Sequence, residues 1–477
     1  MTVPLYTAAQ SRELDRLTIA QGGVAGYELM CRAGAFGFAQ LQQFWPHCQS
    51  LLVLCGKGNN GGDGYVVAEL ARQAGMQVHL LSAVEPDSLT GDAYQAYKAC
   101  QVAVATSVDQ LPLSAADVVV DAMLGTGLQG PVAGVYKNWI EQLNAAGVPV
   151  LSMDIPSGLC ADTGTAQAGA VQATLTTSFI SRKRGLYTGQ ARDVTGHIAF
   201  ASLGVRASVY QQVPRAASLL GPEAFGHLPA RSPTSYKASH GHVFVVGGDT
   251  GTFGAVLLAA QAAARGGAGL VSVYTQSEHG PWVTMAQPEL MLVSDSWQQA
   301  SVLVVGPGLG QAEFGQQAWA YSLAQDKPMV VDADGLNLLA AQPQHRDNWI
   351  LTPHPGEAAR LLHATTREVE QDRFAAVRAL QAEYGGAVIL KGAGSLIGDS
   401  RGHISVLGIG NAGLASAGSG DVLAGVCGAM MAQGLELDEA AKQAAWVHSR
   451  AADLAVKQGL KGMLASDLLP YIRQLVG

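Results

Sequence analysis

The sequence predicts an α/β protein of two domains, each a mostly parallel sheet covered by helices. Three observations carry that expectation. At 477 residues the chain is longer than one hydrophobic core usually fills. Strand-like apolar runs alternate with helix-like segments in both halves, the pattern of covered parallel sheets. Apolar residues make up 48% and charged residues 14%, with 58 glycines, which suits a globular chain full of tight turns and excludes a disordered or fibrous one.

In the first half, helical patterns over residues 7–21 and 27–44 precede the strand SLLVLC, residues 50–55. A glycine-rich loop, a helix from Tyr65 and the strand MQVHLLS follow. Further strands fall in ADVVVDAMLG, VPVLSMDIPSG, ATLTTSFI and GHIAFASLG, with the helix VYKNWIEQLNAAG among them. The Pro-punctuated stretch VPRAASLLGPEAFGHLPARSPTS, residues 213–235, reads as linker plus the entry to a second domain, with the boundary near residues 210–225. The alternation then restarts with GHVFVVGG, a helix AVLLAAQAAARGG, and strands in LVSVYT, SVLVVGPG, PMVVDADG, WILTPHPG and AVILKGAG, closing on two helices rich in Ala and Gly. No clean internal repeat relates the halves.

The net charge of −8 comes without a long basic run, which argues against a nucleic-acid footprint. Six cysteines, at 31, 48, 55, 100, 160 and 427, show no CxxC or His/Cys metal spacing and read as reduced thiols. The start MTVPLYTAAQSRELDR lacks the apolar stretch of a secretory signal, and no later run reaches spanning length. A cytoplasmic protein without membrane segments is expected.

The stretch CGKGNNGGDGYVVAEL, residues 55–70, places Gly56, Gly58 and Gly61 in a formal G-x-G-x-x-G between strand and helix. Asn59 and Asn60 add amide groups, and Gly61, Gly62 and Gly64 would let backbone N–H groups approach a phosphate at the helix N-terminus. Asp63 would repel a phosphate, so it reads as a helix cap or a brace for the loop. The plain alternative is a glycine-rich turn before a capped helix. Asp121, Asp154 and Ser157 end two other strands, whose carboxyl ends face one crevice in a parallel sheet. Asn60, Asp121 and Ser157 together offer hard oxygens for a monovalent or divalent cation, and Gly125 to Pro131 a second backbone nest. Singly, each carboxylate reads equally well as a helix cap or an Arg partner.

In the second half, GNAGLASAGSGDVLAGVCGAM, residues 410–430, opens backbone N–H groups at Gly418, Ser419 and Gly420 and sets Asp421 in the first turn of a helix. Such amides form an anion hole for a phosphoryl group in flight, and the carboxylate can take a hydroxyl proton. Lys391 to Ser395 follow a strand and offer a cation and open backbone to a diphosphate, though no Walker motif is present. His354 lies on a Pro-held loop before a helix. Gly306, Gly308 and Gly310 would admit a flat ring or a phosphate.

The motifs GNNGGDG, DAMLGTGLQGP and DIPSG resemble those of the NAD(P)H-hydrate epimerase family over residues 1–210. The resemblance implies a Rossmann-like three-layer sandwich, a bound potassium ion, and interconversion of the R and S forms of hydrated NADH and NADPH (NADHX and NADPHX). It implies that Asn59, Asn60, Gly61, Gly62 and Asp63, with Gly125, Thr126, Gly127, Leu128, Gln129, Gly130 and Pro131, bind the hydrate. Asn60, Asp121 and Ser157 would bind potassium, and Asp154 would touch the reacting ring as general acid and base. GPGLG, TPHPGE, KGAGS and GSGDVLAG resemble the ADP-dependent NAD(P)H-hydrate dehydratase domain of the ribokinase-like superfamily over residues 225–477. By that likeness Ala255, Gly308, His354 and Asp421 bind the hydrate. Lys391, Gly392, Ala393, Gly394 and Ser395, with Gly420, bind ADP, magnesium bridges its phosphates, and Asp421 is the base. Ala417 stands where relatives more often carry Gly, a departure that leaves the critical glycines in place. The expected division is 1–215 epimerase and 225–477 dehydratase, in a homo-oligomer that repairs both hydrates. Weaker alternatives are a small-alcohol or hydroxymethylpyrimidine kinase with a regulatory domain, a non-enzymatic dinucleotide-binding scaffold, and a NAD-linked dehydrogenase.

Overall fold

A computed structural model describes residues 2–106, 109–128, 130–166, 169–225, 228, 230–294 and 296–477. The chain divides into two units, Pro4–Ala217 and Ser218–Gly477 with the first three residues.

The first unit holds a seven-stranded, all-parallel sheet. Its spatial order is Val104–Thr106, Gln77–Ser82, Ser50–Cys55, Val118–Ala122, Val150–Met153, Leu175–Phe179, His197–Ala201. Successive side chains on a strand point to opposite faces. Leu51, Val53 and Cys55 therefore enter one core with the helices Ala8–Gly22, Gly26–Phe44 and Asn59–Gln73, while Leu52 and Leu54 enter another with Trp139, Ile140 and Leu143 of Gly134–Ala146. Two cores on one sheet make a three-layer sandwich. The strand order reverses between Ser50–Cys55 and Val118–Ala122, and the crevice beyond the carboxyl ends at such a switch point is where open α/β sheets bind ligands.

The glycine-rich stretch departs from the expected loop. The helix starts at Asn59, with Gly58 as N-cap, so Asn60 to Gly64 are helical and buried. Asp63 is therefore no cap. The glycines also allow close packing. A Cβ at Gly61 would lie 2.0 Å from the Gly56 carbonyl oxygen, and one at Gly62 would lie 2.5 Å from Met30 Cε. One at Gly64 would lie 2.6 Å from Ala122 Cβ. They let the helix press against the strand ends and its neighbour, and Gly62 N is already donated to Gly58 O at 3.2 Å.

In the second unit six parallel strands run in the order Leu270–Tyr274, His242–Val246, Val302–Val305, Met329–Val331, Trp349–Leu351, Ala387–Leu390. The antiparallel strands Leu396–Gly398 and Ile404–Leu407 extend that sheet, and Ala217–Leu220 pairs parallel to the latter. The hairpin is absent from the sequence reading because its strands are short, three and four residues. Ala217–Leu220 lies in the stretch read as linker; it is a mostly buried strand. The helices Phe253–Arg265 and Ser419–Ala432 cross closely, since a Cβ at Gly425 would lie 2.1 Å from Ala259 O.

Gly61→Ala should destabilise the first unit by about 2 kcal/mol or more, because backbone must move to admit the methyl group. Gly127→Ala, which meets nothing within 4 Å, should stay within about 0.5 kcal/mol of wild type in the same denaturant titration.

Two candidate active sites

At the switch point of the first unit lies a cavity of about 690 Å³. Asn59, Asn60, Asp63, Gly125, Thr126, Gly127, Leu128, Pro131 and Asp154 line it. Gly61, Gly62 and Gly130 are not among its lining residues, and Gln129 lies outside the described residues.

Asp121 and Ser157 sit beside this cavity in a fully buried hydrogen-bond knot. Asp121 accepts from Ser152 Oγ at 2.8 Å, Ser157 N at 2.9 Å, Ser157 Oγ at 2.5 Å and Met123 N at 3.3 Å. Burial pushes its carboxyl pKa up, and the Ser157 and Ser152 contacts pull it back. Leu124 N donates to Ser157 Oγ at 2.8 Å, and a Cβ on the next residue, Gly125, would lie 3.3 Å from Asn60 Cβ. Asn60 is the anomaly of the site: its Oδ1 and Nδ2 are both buried without a partner. Buried amides are almost always satisfied, so this one is a strong mark of a missing ligand. With its acceptor positions filled by protein donors, Asp121 supplies charge, while Asn60 offers the open oxygen.

Asp154 follows the strand Val150–Met153 with a left-handed backbone, φ 63°, and Ile180 follows the next strand with φ 59°. Both line the cavity, and such strain in a non-glycine residue, most of all a β-branched one, marks functional positions. Asp154 Oδ1 accepts from the buried ammonium of Lys183, whose Nζ also donates to Phe179 O at 3.0 Å and Ser178 Oγ at 3.3 Å. Asp15 and Asp63 line the same space. Burial pushes the Asp15 pKa up to about 6, with Lys183 pulling it down and Asp154 pushing it up. Burial, reinforced by Asp154 and Asp15, pushes Asp63 well above the usual carboxylate range. Sequence reasoning missed Asp15 and Lys183. The signal available was slight: SRKRG directly after a strand end.

The second site forms at the carboxyl ends of the parallel strands of the second unit. Asp332, at the end of Met329–Val331, accepts from Lys391 Nζ at 2.7 Å and Thr352 Oγ1 at 2.8 Å. Glu357 Oε2 lies 3.6 Å from the same ammonium. Lys391, expected to face a diphosphate, is thus engaged by two carboxylates; burial lowers its pKa but Asp332 and Glu357 outweigh that and raise it. Gly392 is braced from behind by Arg373, which donates to Lys391 O at 3.0 Å, and Ser395 Oγ donates to Gly392 O at 3.0 Å. Gly392 and Ala393 are exposed, Gly394 is buried, and Ser395 is half-buried.

Gly418 caps the helix Ser419–Ala432 in a left-handed conformation, φ 87°. A Cβ at Gly420 would lie 3.1 Å from Lys391 Nζ and 3.4 Å from Asp332 Oδ2, which puts the glycine turn over the ion pair. In the same first turn, burial pushes the Asp421 pKa up to about 7, with Asp332 and Glu357 adding to the rise and Lys391 opposing it. His354 Nδ1 accepts from Gly356 N at 2.9 Å, so it caps the helix Pro355–Leu361 and its proton sits on Nε2, 3.4 Å from Glu357 Oε1. Burial, with Lys391 and Arg360, lowers its pKa and keeps it neutral. Thr252 joins the remaining two candidates: its carbonyl accepts from Ala255 N at 3.1 Å and its hydroxyl donates to Gly308 O at 2.7 Å. Asp332 and Glu357 were not singled out from the sequence, although both lie in motifs it displays, PMVVDADG and TPHPGE.

Residues 26–185 match the family described as YjeF-related protein N-terminus, and residues 243–474 the family described as NAD(P)H-hydrate dehydratase. A bifunctional NAD(P)H-hydrate repair enzyme of Coxiella burnetii is 45% identical over the whole of both chains. The chain belongs to the bifunctional NAD(P)H-hydrate repair enzyme family. The Escherichia coli member is 42% identical, over 95% of this chain and 90% of its own. A ribokinase-like superfamily protein from Enterococcus faecalis superposes on 54% of this chain and 94% of its own with a TM-score of 0.50 at 26% identity, so the second unit has the ribokinase-like fold. Within this repair-enzyme chain the match to the first family begins at residue 26, which leaves the helix Ala8–Gly22 and its Asp15 outside it.

Removing one partner of a buried ion pair leaves an uncompensated charge, whereas removing both charges does not. Lys183→Met should therefore cost about 3 kcal/mol of unfolding free energy, and Lys183→Met with Asp154→Asn distinctly less. Equal losses in a denaturant titration would show that the charge pairing is not what the lysine contributes.

Proposed function

We propose that this chain repairs hydrated NADH and NADPH in two steps, epimerising the R and S hydrates in its first unit and dehydrating the S form in its second with ADP, giving AMP and phosphate. The observation that carries the reading is an end-to-end match to repair enzymes in a chain that holds two separate strand-end sites, each centred on an aspartate paired with or beside a lysine held largely out of water. A small-alcohol kinase would leave the first site without a purpose.

In the hydrate a hydroxyl sits on the ring carbon beside the nitrogen. The nitrogen lone pair expels it as water, leaving a planar iminium that water re-enters from either face. Asp154, held in place by Lys183, moves the proton at that oxygen. Asn60, Asp121 and Ser157 would hold potassium, whose charge would steady the bound dinucleotide, and the orphaned Asn60 amide fits that role. Asn59 and the chain from Gly125 to Pro131 would hold the hydrate.

In the second site hydroxide is a poor leaving group, so it is first converted to phosphate. Asp421 takes the hydroxyl proton as the oxygen attacks the terminal phosphoryl group of ADP; the carbon–oxygen bond then breaks, phosphate departs, and loss of a neighbouring ring proton restores the double bond. The amides at Gly418 to Gly420 stabilise the phosphoryl group in transit, and Lys391 to Ser395 hold the nucleotide. Asp332 and Glu357 are the carboxylates that would hold magnesium with the nucleotide, and that ion supplies neutralisation of phosphate charge. Ala255, Gly308 and His354 frame the hydrate. We take the working enzyme as a cytoplasmic homo-oligomer, a setting with which six free cysteines agree.

Purified protein given the separate S and R hydrates with ADP, magnesium and potassium should regenerate NADH from both, read by absorbance. Asp421→Ala should abolish dehydration and spare epimerisation, and Asp154→Asn should do the reverse; a phosphorylated small alcohol with no NADH would overturn the reading. Because Asp421 must be ionised to act and its pKa lies at about 7, dehydration should rise as pH increases through that value. Asp332→Asn removes a negative neighbour and should move that limb to lower pH.

A further inference from the structure

Inversion at the ring carbon requires water to leave one face of the iminium and arrive on the other, yet Asp154 is pinned. It occupies a strained backbone position at the end of a central strand and is tied to a buried lysine that is itself held by Phe179 O and Ser178 Oγ. A carboxylate so fixed serves one face. We propose that Asp15 is a second acid/base of the epimerase site and serves the other face, an inference that rests on the epimerase reading above.

Asp15 lines the same cavity as Asp154 and Lys183. It arrives from outside the sheet, on the helix Ala8–Gly22, and that helix is locked to the site one turn earlier, where Ser11 Oγ accepts from Ser181 Oγ at 2.8 Å, two residues before Lys183. Residues four apart share a helix face, so Ser11 and Asp15 look into the cavity together. The orphaned Asn60 amide marks this cavity as built for a ligand. Asp63 and Asp92 line the cavity as well, but Asp63 is almost wholly buried and the Asp92 carboxylate lies against Gly26, whereas half-buried Asp15 can exchange its proton with solvent and stands where the charges of Lys183 and Asp154 both reach it. Its pKa of about 6 keeps both protonation states accessible near neutrality.

The step balances as follows. Protonated Asp15 gives its proton to the ring hydroxyl, the carbon–oxygen bond breaks with its electron pair leaving on water, and the nitrogen lone pair closes the iminium. Water then bonds to carbon on the opposite face while the Asp154 carboxylate takes its proton. The reverse direction exchanges the two roles, and the proton returns from Asp154 to Asp15 through Lys183 or solvent.

The test follows each purified epimer in isotopically labelled water with the full chain, reading inversion and incorporation of labelled oxygen separately. Asp15→Asn should lower inversion at least a hundredfold while one epimer still exchanges its hydroxyl oxygen with retention, through Asp154 alone; Asp154→Asn should leave exchange in the other epimer. Asp15→Glu should keep measurable inversion. Dehydration of the S hydrate and the thermal unfolding curve, on the same samples, show that each variant is folded. Inversion by Asp15→Asn within threefold of wild type would overturn the proposal, and so would loss of exchange in both epimers, which would make Asp15 a support for Asp154. Absence of inversion in wild type would instead overturn the epimerase reading on which the proposal rests.

Discussion

Both halves of this protein depend on the same interaction, a lysine ammonium withdrawn from water and held by an aspartate at the carboxyl end of a parallel strand. In the first unit it is Lys183 on Asp154, and in the second Lys391 on Asp332. Removing one partner would leave an uncompensated charge at a cost of several kcal/mol, most of all at Lys183, which is almost fully buried where Lys391 is partly exposed. The parallel sheet makes the arrangement available, because every strand end opens onto one edge and loops distant in sequence meet there. Once the pair is set, the neighbouring carboxylates feel a fixed cation and each other, and their protonation follows.

The two sites use that device for different ends. In the first, the lysine pins the aspartate proposed to meet the substrate, and Asp154 and Ile180, both on a strained backbone, line the cavity. In the second, the paired aspartate is not the proposed base: Ala333, next in sequence, carries the strain at φ 48°, and the carboxylate proposed to react is Asp421 on a separate helix. Burial, with Asp332 and Glu357 adding to it, raises the proton affinity of Asp421 while Lys391 limits the rise, leaving a carboxylate poised near neutrality. Close packing through glycine makes both geometries possible, at Gly61 and Gly64 under the first cavity and at Gly425 beneath the second helix.

Much of this was legible in the sequence where it depends on local pattern. Apolar runs ending in Asp or Ser at 121, 154 and 157 located the carboxyl edge of the first sheet, and GSGD located the helix start that carries Asp421. What local pattern could not supply was partnership. Lys183 and Asp154 are 29 residues apart and Lys391 and Asp332 are 59 apart, and neither spacing has a periodicity to announce it. The packing of the glycine-rich stretch was hidden for a related reason: glycine permits both an open anion nest and tight packing, and only the positions of Met30, Gly56 and Ala122 reveal the packing. Asp15 lies inside a helical pattern, and no local motif marks it.

The claim at the centre of this account is that one chain carries two complete and separable active sites. It is tested most directly by complementation. Asp154→Asn and Asp421→Ala chains are mixed with the R hydrate, ADP, magnesium and potassium, and NADH absorbance is followed for each chain alone and for the mixture. The account predicts that neither chain alone repairs the R hydrate and that the mixture does, because the S hydrate made by one chain is consumed by the other. No recovery in the mixture, with each variant retaining its own remaining activity, would contradict it.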